Sequence, residues 1–399
     1  MRKLINSKGP NCGVFMPRKG VPSEWVRPID WLGLPVVTAS EDKMVGLYAV
    51  YDTTSEFVAF TATGDFTVDW GDGSATENIA SGVQAQHQYT YATISNATLS
   101  TRGYKQVVIA ITPQAGQQLL SVDINKRHTS ASAQVQASNW LDITCSCNAA
   151  STLGFSTSGT LTKSSILERA KILNGQLRLS TASMFSSCHV LQSVPMFSTA
   201  SVTNMSSMFS SCFSIQSVPL LNTAAVTNMS SMFSACYSLK SIPLLNTGSV
   251  TNMSSMFLSC LSLQSVPLFN TVAVTNMSSM FMTCYALQSI PAFNTSSVTN
   301  MTTMLNACRS LPIIPAFVTN AVTVATDMFL GSLDIARSLI TGMPVDHSYL
   351  NCNLSATALN EIYTNLPVVV GKTITVTGNY GVAGDDPTIA TAKGWTVVG

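Results

Sequence analysis

Charge is what this sequence has least of. Of 399 residues only 20 are Lys or Arg and 19 are Asp or Glu, a charged share of 10% and a net charge of +1. An ordinary soluble domain carries about a quarter charged residues. Binding to a phosphate backbone needs clustered Lys and Arg, so nucleic acid is not expected as a partner. Disorder needs few apolar residues and a high net charge. The hydrophobic share here is 46%, so a folded chain is expected. No run of eighteen apolar residues occurs, so membrane insertion is not expected either. The N-terminal stretch Met1-Arg2-Lys3-Leu4-Ile5 has basic residues without a following apolar core. It does not read as a Sec-type leader, and the protein is expected to remain in the cytoplasm where it is made or to leave by lysis or a dedicated route.

What the sequence does have is a repeat. Six of its ten cysteines stand at positions 188, 212, 236, 260, 284 and 308, a strict 24-residue period. The unit is clearest from Val226 through Asn228, Met229, Met232, Phe233 and Cys236 to Leu239, Ile242, Pro243, Leu244 and Asn246. Further copies start at Val202, Val250, Val274 and Val298, with a partial copy at Met184 and a degraded one at Asp327. A period of 20–29 residues indicates a solenoid in which each coil buries its apolar stripe only by stacking on its neighbours. Val226, Met229, Met232, Phe233 and Cys236 follow three- and four-residue steps, which predicts a short helical or 3₁₀ segment. Leu239, Ile242 and Leu244 predict a short strand on the opposite side.

The columns follow from that picture. The Met, Phe, Leu and Cys columns are expected in the core, cysteine acting as a small hydrophobe. The Asn columns (Asn228 and Asn246 in this unit) are expected at turns, stacked as amide ladders. The Pro column is expected where a strand ends. Between Thr181 and Gly331 the only charges are Lys240, Arg309 and Asp327. Glycoside hydrolysis needs paired carboxylates, and a triad needs His, a nucleophile and an acid. The solenoid is therefore expected to be non-catalytic, with no cofactor and no metal. The acids available to an enzyme lie in the flanks, at Asp123, Asp142, Glu168, Asp334 and Asp346. Positions Tyr237, Lys240, Tyr285, Gln288 and Arg309 differ from coil to coil and are the candidate surface contacts.

Residues 1–43 hold five prolines, Trp25, Trp31, and seven Lys or Arg against four acids. Two tryptophans are costly to leave in water, so this segment is read as an extended arm docking on another subunit through Trp25, Arg27 and Trp31. Residues 44–112 read as short strands, at 45–51, 57–61, 66–70, 87–91 and 106–112. Residues 113–183 read as irregular first coils and 184–345 as the regular repeat. Residues 346–399 read as a cap, with a helix over 354–366 N-capped by Ser355, strands at 372–377 and 394–398, and Trp395 closing the last coil. The fold class expected is mainly β with short helices.

Two resemblances add to this. The pattern Val-Thr-Asn-Met-Ser-Ser-Met-Phe-x-x-Cys-x-x-Leu-x-Ser resembles the BspA-type leucine-rich repeats of bacterial surface proteins, which implies adhesion and surface display. The run Thr67-Val68-Asp69-Trp70-Gly71-Asp72-Gly73-Ser74 with His87-Gln88-Tyr89 resembles PKD-type, immunoglobulin-like modules. That implies a sandwich with Trp70 as core anchor and Asp69 and Asp72 as turn caps. The C-terminal segment is similar to endings of repeat-bearing phage appendage proteins. Together they imply a bacteriophage virion protein (tail fibre, spike or capsid decoration) that touches a host surface glycan or protein. Other virion proteins would hold the arm, and the chain would form a homo-oligomer, a trimer by analogy with fibres. A bacterial cell-surface adhesin and an architectural capsid cement protein are the alternatives.

Overall fold

The computed structural model describes residues 25–399 apart from 53–55, 125, 127, 131–138, 148–151, 156–165 and 174–178. The chain is mainly β with two short helices. Its first part is a pair of facing sheets, built from β1 (Lys43–Val50), β2 (Phe57–Thr63), β3 (Phe66–Asp69), β4 (Glu77–Ile79), β5 (Gln84–Gln88), β6 (Lys105–Pro113), β7 (Ser121–Asp123), β8 (Trp140–Ser146), β9 (Thr152–Gly154) and β10 (Arg169–Ile172). One sheet has the order β10-β8-β1-β6-β3-β4 and the other β5-β2-β7-β9. The strands expected at 45–51, 57–61, 66–70 and 106–112 are present; the one expected at 87–91 lies at Gln84–Gln88 instead, and β4 was not expected. Phe60 of β2 meets Phe66, Trp70 and Trp140 of the opposite sheet at ring centroid distances of 6.0, 5.7 and 6.4 Å. Gly46 is required in β1 because a Cβ there would lie 2.4 Å from the Trp140 ring.

The change of architecture happens inside these sheets. The β1–β6, β1–β8 and β2–β7 pairs are antiparallel, whereas β7–β9 and β8–β10 are parallel. Parallel pairing with a constant direction of travel is what a solenoid wall requires. A solenoid of about nine turns runs from residue 122 on. The strands after β6 thus complete the N-terminal sheets and start the coils at the same time. The apolar core is continuous from Met44 to Trp395.

Each regular coil buries Val226, Met229, Met232, Phe233, Cys236 and Leu239 completely, with Ile242 and Leu245 close behind. A buried side chain of this size stabilises by roughly 1.5–3 kcal/mol, and six to eight per coil explain why the period is so strict. The Phe column stacks from Phe185 through Phe209, Phe233 and Phe257 at 5.4–5.7 Å. A second column, Phe269, Phe293 and Phe317, stacks at 6.0–6.3 Å.

The helical segment expected at Val226–Cys236 is a succession of tight turns instead. Ser231 and Ala235 sit at φ 55° and 58°, and the equivalent residues of the neighbouring coils share the left-handed conformation. Left-handed non-glycine residues cost on the order of 1 kcal/mol each. Hydrogen bonds to the next coil offset that cost. Met229, Ser231, Phe233 and Ala235 donate their N–H groups to the carbonyls of Asn252, Ser254, Met256 and Leu258. Met232, Ser234 and Cys236 donate within the coil to Met229, Ser231 and Phe233. An α-helix uses its N–H groups internally; here every second one is spent on the neighbour, so no helix forms. The same four forward bonds recur from coil to coil as far as Met301, Thr303, Leu305 and Ala307.

The opposite wall departs from expectation as well. Leu245 faces inward, while Leu244 is 62% exposed. The wall is extended, but the central coils form no strand there, because Pro243 and its equivalents remove the donor a ladder needs. On this side β13 (Ile313–Ile314) pairs with β14 (Arg337–Ser338), and isolated bridges join Arg169 to Ser193 and Val318 to Thr341; β13 stops directly before Pro315. Earlier, β11 (Leu179–Ser180) pairs with β12 (Val202–Asn204) on the turn-bearing side. The Asn columns do sit at turns. They cap them locally: Asn228 Oδ1 accepts the Ser230 N–H and Asn246 Oδ1 the Gly248 N–H. Among the described residues no hydrogen bond joins one Asn amide to the next in these columns; each Oδ1 accepts from the backbone two residues on.

The C-terminal cap is close to expectation. It consists of β15 (His347–Ser348), α1 (Ala356–Asn365), β16 (Lys372–Thr375), α2 (Thr388–Thr391) and β17 (Trp395–Val398). Ser355 Oγ accepts the Ala358 N–H at the start of α1. Tyr349 stacks on Phe329 at 4.6 Å and so continues the Phe column into the cap. Trp395 is buried against His347. Among the described residues no helix is long and apolar enough to cross a membrane.

Candidate contact face of the solenoid

The cysteine column is structural. Each thiol from Cys212 to Cys308 donates to the carbonyl of the Phe 27 residues earlier, and Cys188 to Phe155 O 33 residues earlier, all at 3.0–3.2 Å. Ser332 takes the position in the degraded coil and donates to Leu305 O at 2.5 Å. Burial pushes the Cys284 thiol up to about 12 and moves its buried neighbours the same way. Such thiols do not ionise near neutrality and have no nucleophilic role. Cys145 and Cys147 are likewise buried side by side. Among the described residues no three His, Cys, Asp or Glu cluster as metal ligands.

Sequence reasoning missed one buried polar column. Thr199, Thr223, Thr247, Thr271, Thr295 and Thr319 are almost completely buried. Each donates its hydroxyl to the next coil's backbone, as Thr247 does to Asn270 O at 2.8 Å. The signal was present as an invariant Thr after each Asn, but a Thr beside a turn residue reads as solvent-facing until the coil is closed.

The five candidate contacts come together on one face. Tyr237, Tyr285 and Arg309 occupy the position directly after the cysteine; Lys240 and Gln288 occupy the position three residues further on. The first of these columns continues as His189, Phe213 and Leu261, which sequence reasoning left out. His189 stacks on Phe213 at 4.2 Å and Phe213 on Tyr237 at 4.6 Å, with ring planes within 8° of parallel. Further along, the Arg309 guanidinium lies over the Tyr285 ring at 4.7 Å. Tyr237 and Tyr285 remain 39% and 38% exposed. Their backbone carbonyls are tied down by the Ser262 and Ser310 hydroxyls at 2.7 Å. Partial burial holds His189 below its ordinary pKa. The result is a stiff strip of ring edges beside a row of Gln and Lys head groups. Large aromatic side chains with few rotors lose little entropy on contact, which suits recognition and offers no chemistry.

The other candidates, Trp25, Arg27 and Trp31, are engaged inside the chain. Trp31 is buried with Leu47, Ala49, Tyr104 and Leu141 on the outer face of the larger sheet, and Trp25 packs at its edge. Trp31 Nε1 donates to Tyr104 Oη at 3.0 Å and Trp25 Nε1 to Glu168 Oε2 at 3.3 Å. Arg27 donates to Asp142 Oδ2 at 2.8 Å, and Arg169 holds the same carboxylate. Arg102 pairs with Glu168. Arg27 and Arg102 lie over the Trp31 ring, and Arg169 over Trp25. The order of residues 25–37 therefore has a cause within the molecule: they cover a sheet face that would otherwise be wet. The part of the proposed arm before Trp25 lies outside the described residues. This network also consumes Asp142 and Glu168. Asp123 is bound to Lys126, and Asp346 accepts the Thr373 N–H.

The Trp70–Ser74 turn is built as its residues suggest. Gly71 and Gly73 have φ of 77° and 87°. Asp69 accepts the Gly71 N–H, and Asp72 accepts from Ser74 and from His87 Nε2 at 2.8 Å. The His87 ring stacks on Trp70 at 5.0 Å, and the Tyr89 hydroxyl donates to Trp70 O. Both aspartates are turn caps.

With this geometry in place, the comparisons with known proteins can be read. Residues 179–266 and 240–341 match the family described as Mycoplasma protein of unknown function, DUF285. The matched stretches lie within the repeat block and span less than half of the chain. No curated protein and no solved structure matches the chain.

Proposed function

We propose that this is a non-catalytic contact protein whose solenoid recognises an uncharged surface partner, glycan or protein, through the aromatic strip from His189 to Arg309. The observation that carries this reading is the strip itself: rigid stacked rings, half exposed, on a column that varies while its neighbours repeat. The BspA-like repeat pattern favours surface display, and the W-G-D-G turn with its H-x-Y strand favours a PKD-type support at the N-terminus. We read the carrier as a phage virion, as a tail fibre, spike or capsid decoration, with a bacterial cell surface as the alternative.

The test has two arms. Purified chain and the variant Tyr237→Ala/Tyr285→Ala/Arg309→Ala are compared for binding to host cells and to neutral glycans. A loss of ten-fold or more with unchanged thermal stability supports the strip; equal binding refutes it. Antibody against residues 184–330 is then applied to particles and to cells in the electron microscope. Label on tail tips or capsids supports the virion, and label confined to cells overturns it.

A further inference from the structure

One surface feature is unused by this reading. The residue after each proline points outward on the extended wall. Met196, Leu220, Leu244 and Leu268 are 71%, 58%, 62% and 61% exposed, one above another in consecutive coils. The same column continues as Ala292 and Ala316, both exposed. A line of large apolar side chains at constant spacing is rare on a free surface and marks a contact.

We propose that two copies of this chain pair back to back through this wall, antiparallel, about a two-fold axis between coils three and four. Three features point to a second copy. First, the column runs large to small, so reversing it sets Met196 on the partner's Ala316, Leu220 on its Ala292 and Leu244 on its Leu268. A parallel pairing sets ridge on ridge and leaves the alanine end unfilled. Second, the charges agree. Within the segments 192–198, 216–222, 240–246 and 264–270 the only charge is Lys240. The antiparallel arrangement places it opposite the partner's Gln264, an amide that accepts its hydrogen bond, with the two lysines offset by one coil. A strongly charged partner finds no complement here. Third, the area suffices. Six coils at about 4.8 Å and six extended residues at about 3.3 Å give roughly 600 Å² per copy, or roughly 1,200 Å² in all. That lies at the lower end of stable specific interfaces. A two-fold interface uses the same patch on both copies. The aromatic strip lies outside the contact, so the dimer carries two such strips.

The experiment is sedimentation velocity on the full chain from 1 to 100 μM, beside Leu220→Asp/Leu244→Asp. The expected result is twice the mass of one chain for the unaltered protein and a single-chain mass for the variant, whose circular dichroism stays that of the folded chain because both leucines are exposed. Leu220→Gln/Leu244→Gln gives the same comparison without new charge if the aspartates cause precipitation. Orientation is read by oxidative cross-linking. A mixture of Leu220→Cys and Ala292→Cys chains links, whereas Leu220→Cys alone does not. A monomer at 100 μM, a trimer, a variant that still dimerises, or self-linking of Leu220→Cys overturns the proposal. None of these results depends on whether the aromatic strip binds anything.

Discussion

Acid should loosen the C-terminal cap through a single imidazole. His347 is buried, its Nδ1–H donates to Val345 O at 2.8 Å, and its ring sits edge-on to Tyr349 and Trp395 at 5.7 and 5.4 Å. Burial lowers its pKa from 6.5 to about 4, against small opposing contributions from the Val345 hydrogen bond and Asp346. The folded cap therefore refuses a proton that the unfolded segment accepts near pH 6.5. Stability is fully present above that pH, falls as pH drops from 6.5 towards 4, and levels off below. About 2.5 units at 1.36 kcal/mol each amounts to about 3 kcal/mol. The readout is hydrogen exchange of residues 347–352, 372–375 and 395–398 at pH 7.5, 6, 5 and 4.5, corrected for intrinsic rates. Trp395 fluorescence is an independent probe, since the remaining tryptophans lie at or before residue 140. The Glu361 carboxyl is held low chiefly by its hydrogen bond from Arg337. Protection in His347→Gln should be nearly flat across the same range. If the unaltered cap keeps its full protection at pH 4.5, the imidazole is not held neutral by burial and the argument fails.

Three further outcomes follow from the coil. Ala235→Gly should leave the melting temperature unchanged or raise it, because Ala235 has φ 58° and Gly331 fills the equivalent place in the degraded coil; a helical residue would instead lose about 1 kcal/mol. Cys236→Ser should be tolerated within about 1 kcal/mol, as Ser332 already donates the equivalent bond, while Cys236→Ala should cost about 1–2 kcal/mol from the lost bond and void; chemical denaturation of both separates them. Asp142→Ala should destabilise the N-terminal sheets by about 3 kcal/mol, because it strands Arg27 and Arg169 around a buried site, and tryptophan fluorescence at Trp25 and Trp31 should report it first.

How much of this was legible depends on which interactions crossed between coils. The 24-residue period, the buried Met, Phe and Cys columns and the Ser355-capped helix were readable, because each is fixed by local spacing or by hydrophobic period. The turn-bearing side was not. Val226, Met229, Met232, Phe233 and Cys236 have a spacing that suits an α-helix and equally a chain of turns, and the deciding hydrogen bonds go to residues 23 positions away. Leu244 and Leu245 were exchanged for a related reason. Two adjacent leucines after a proline give no period, and only the closing of the coil chooses which points inward. Trp25, Arg27 and Trp31 were read as an arm docking on another subunit, on the ground that the two tryptophans need cover; the structure gives them contacts within the chain. Their cover comes from Tyr104, Leu141 and Asp142, more than seventy residues on, and no local pattern signals that.

Stacking also changes what the low charge means. In this solenoid every side chain lies beside its own equivalent one coil away, as the Phe stacks at 5.4–5.7 Å show. A charged residue at a repeated position would therefore form a column of like charges at close to contact distance, each pair repelling by an amount comparable to a weak hydrogen bond even near water. Near-identical repeats can survive only if their consensus is neutral. The scarcity of Asp, Glu, Lys and Arg between Thr181 and Gly331 is then a condition of the fold, and by itself it says little about the partner. The information about function has to sit where the repeat is broken. Lys240 and Arg309 are tolerated because each stands alone in its column, and Arg309 rests on Tyr285. The Met196-to-Ala316 gradient breaks the period in size alone. These departures, and not the composition, are where recognition is to be sought.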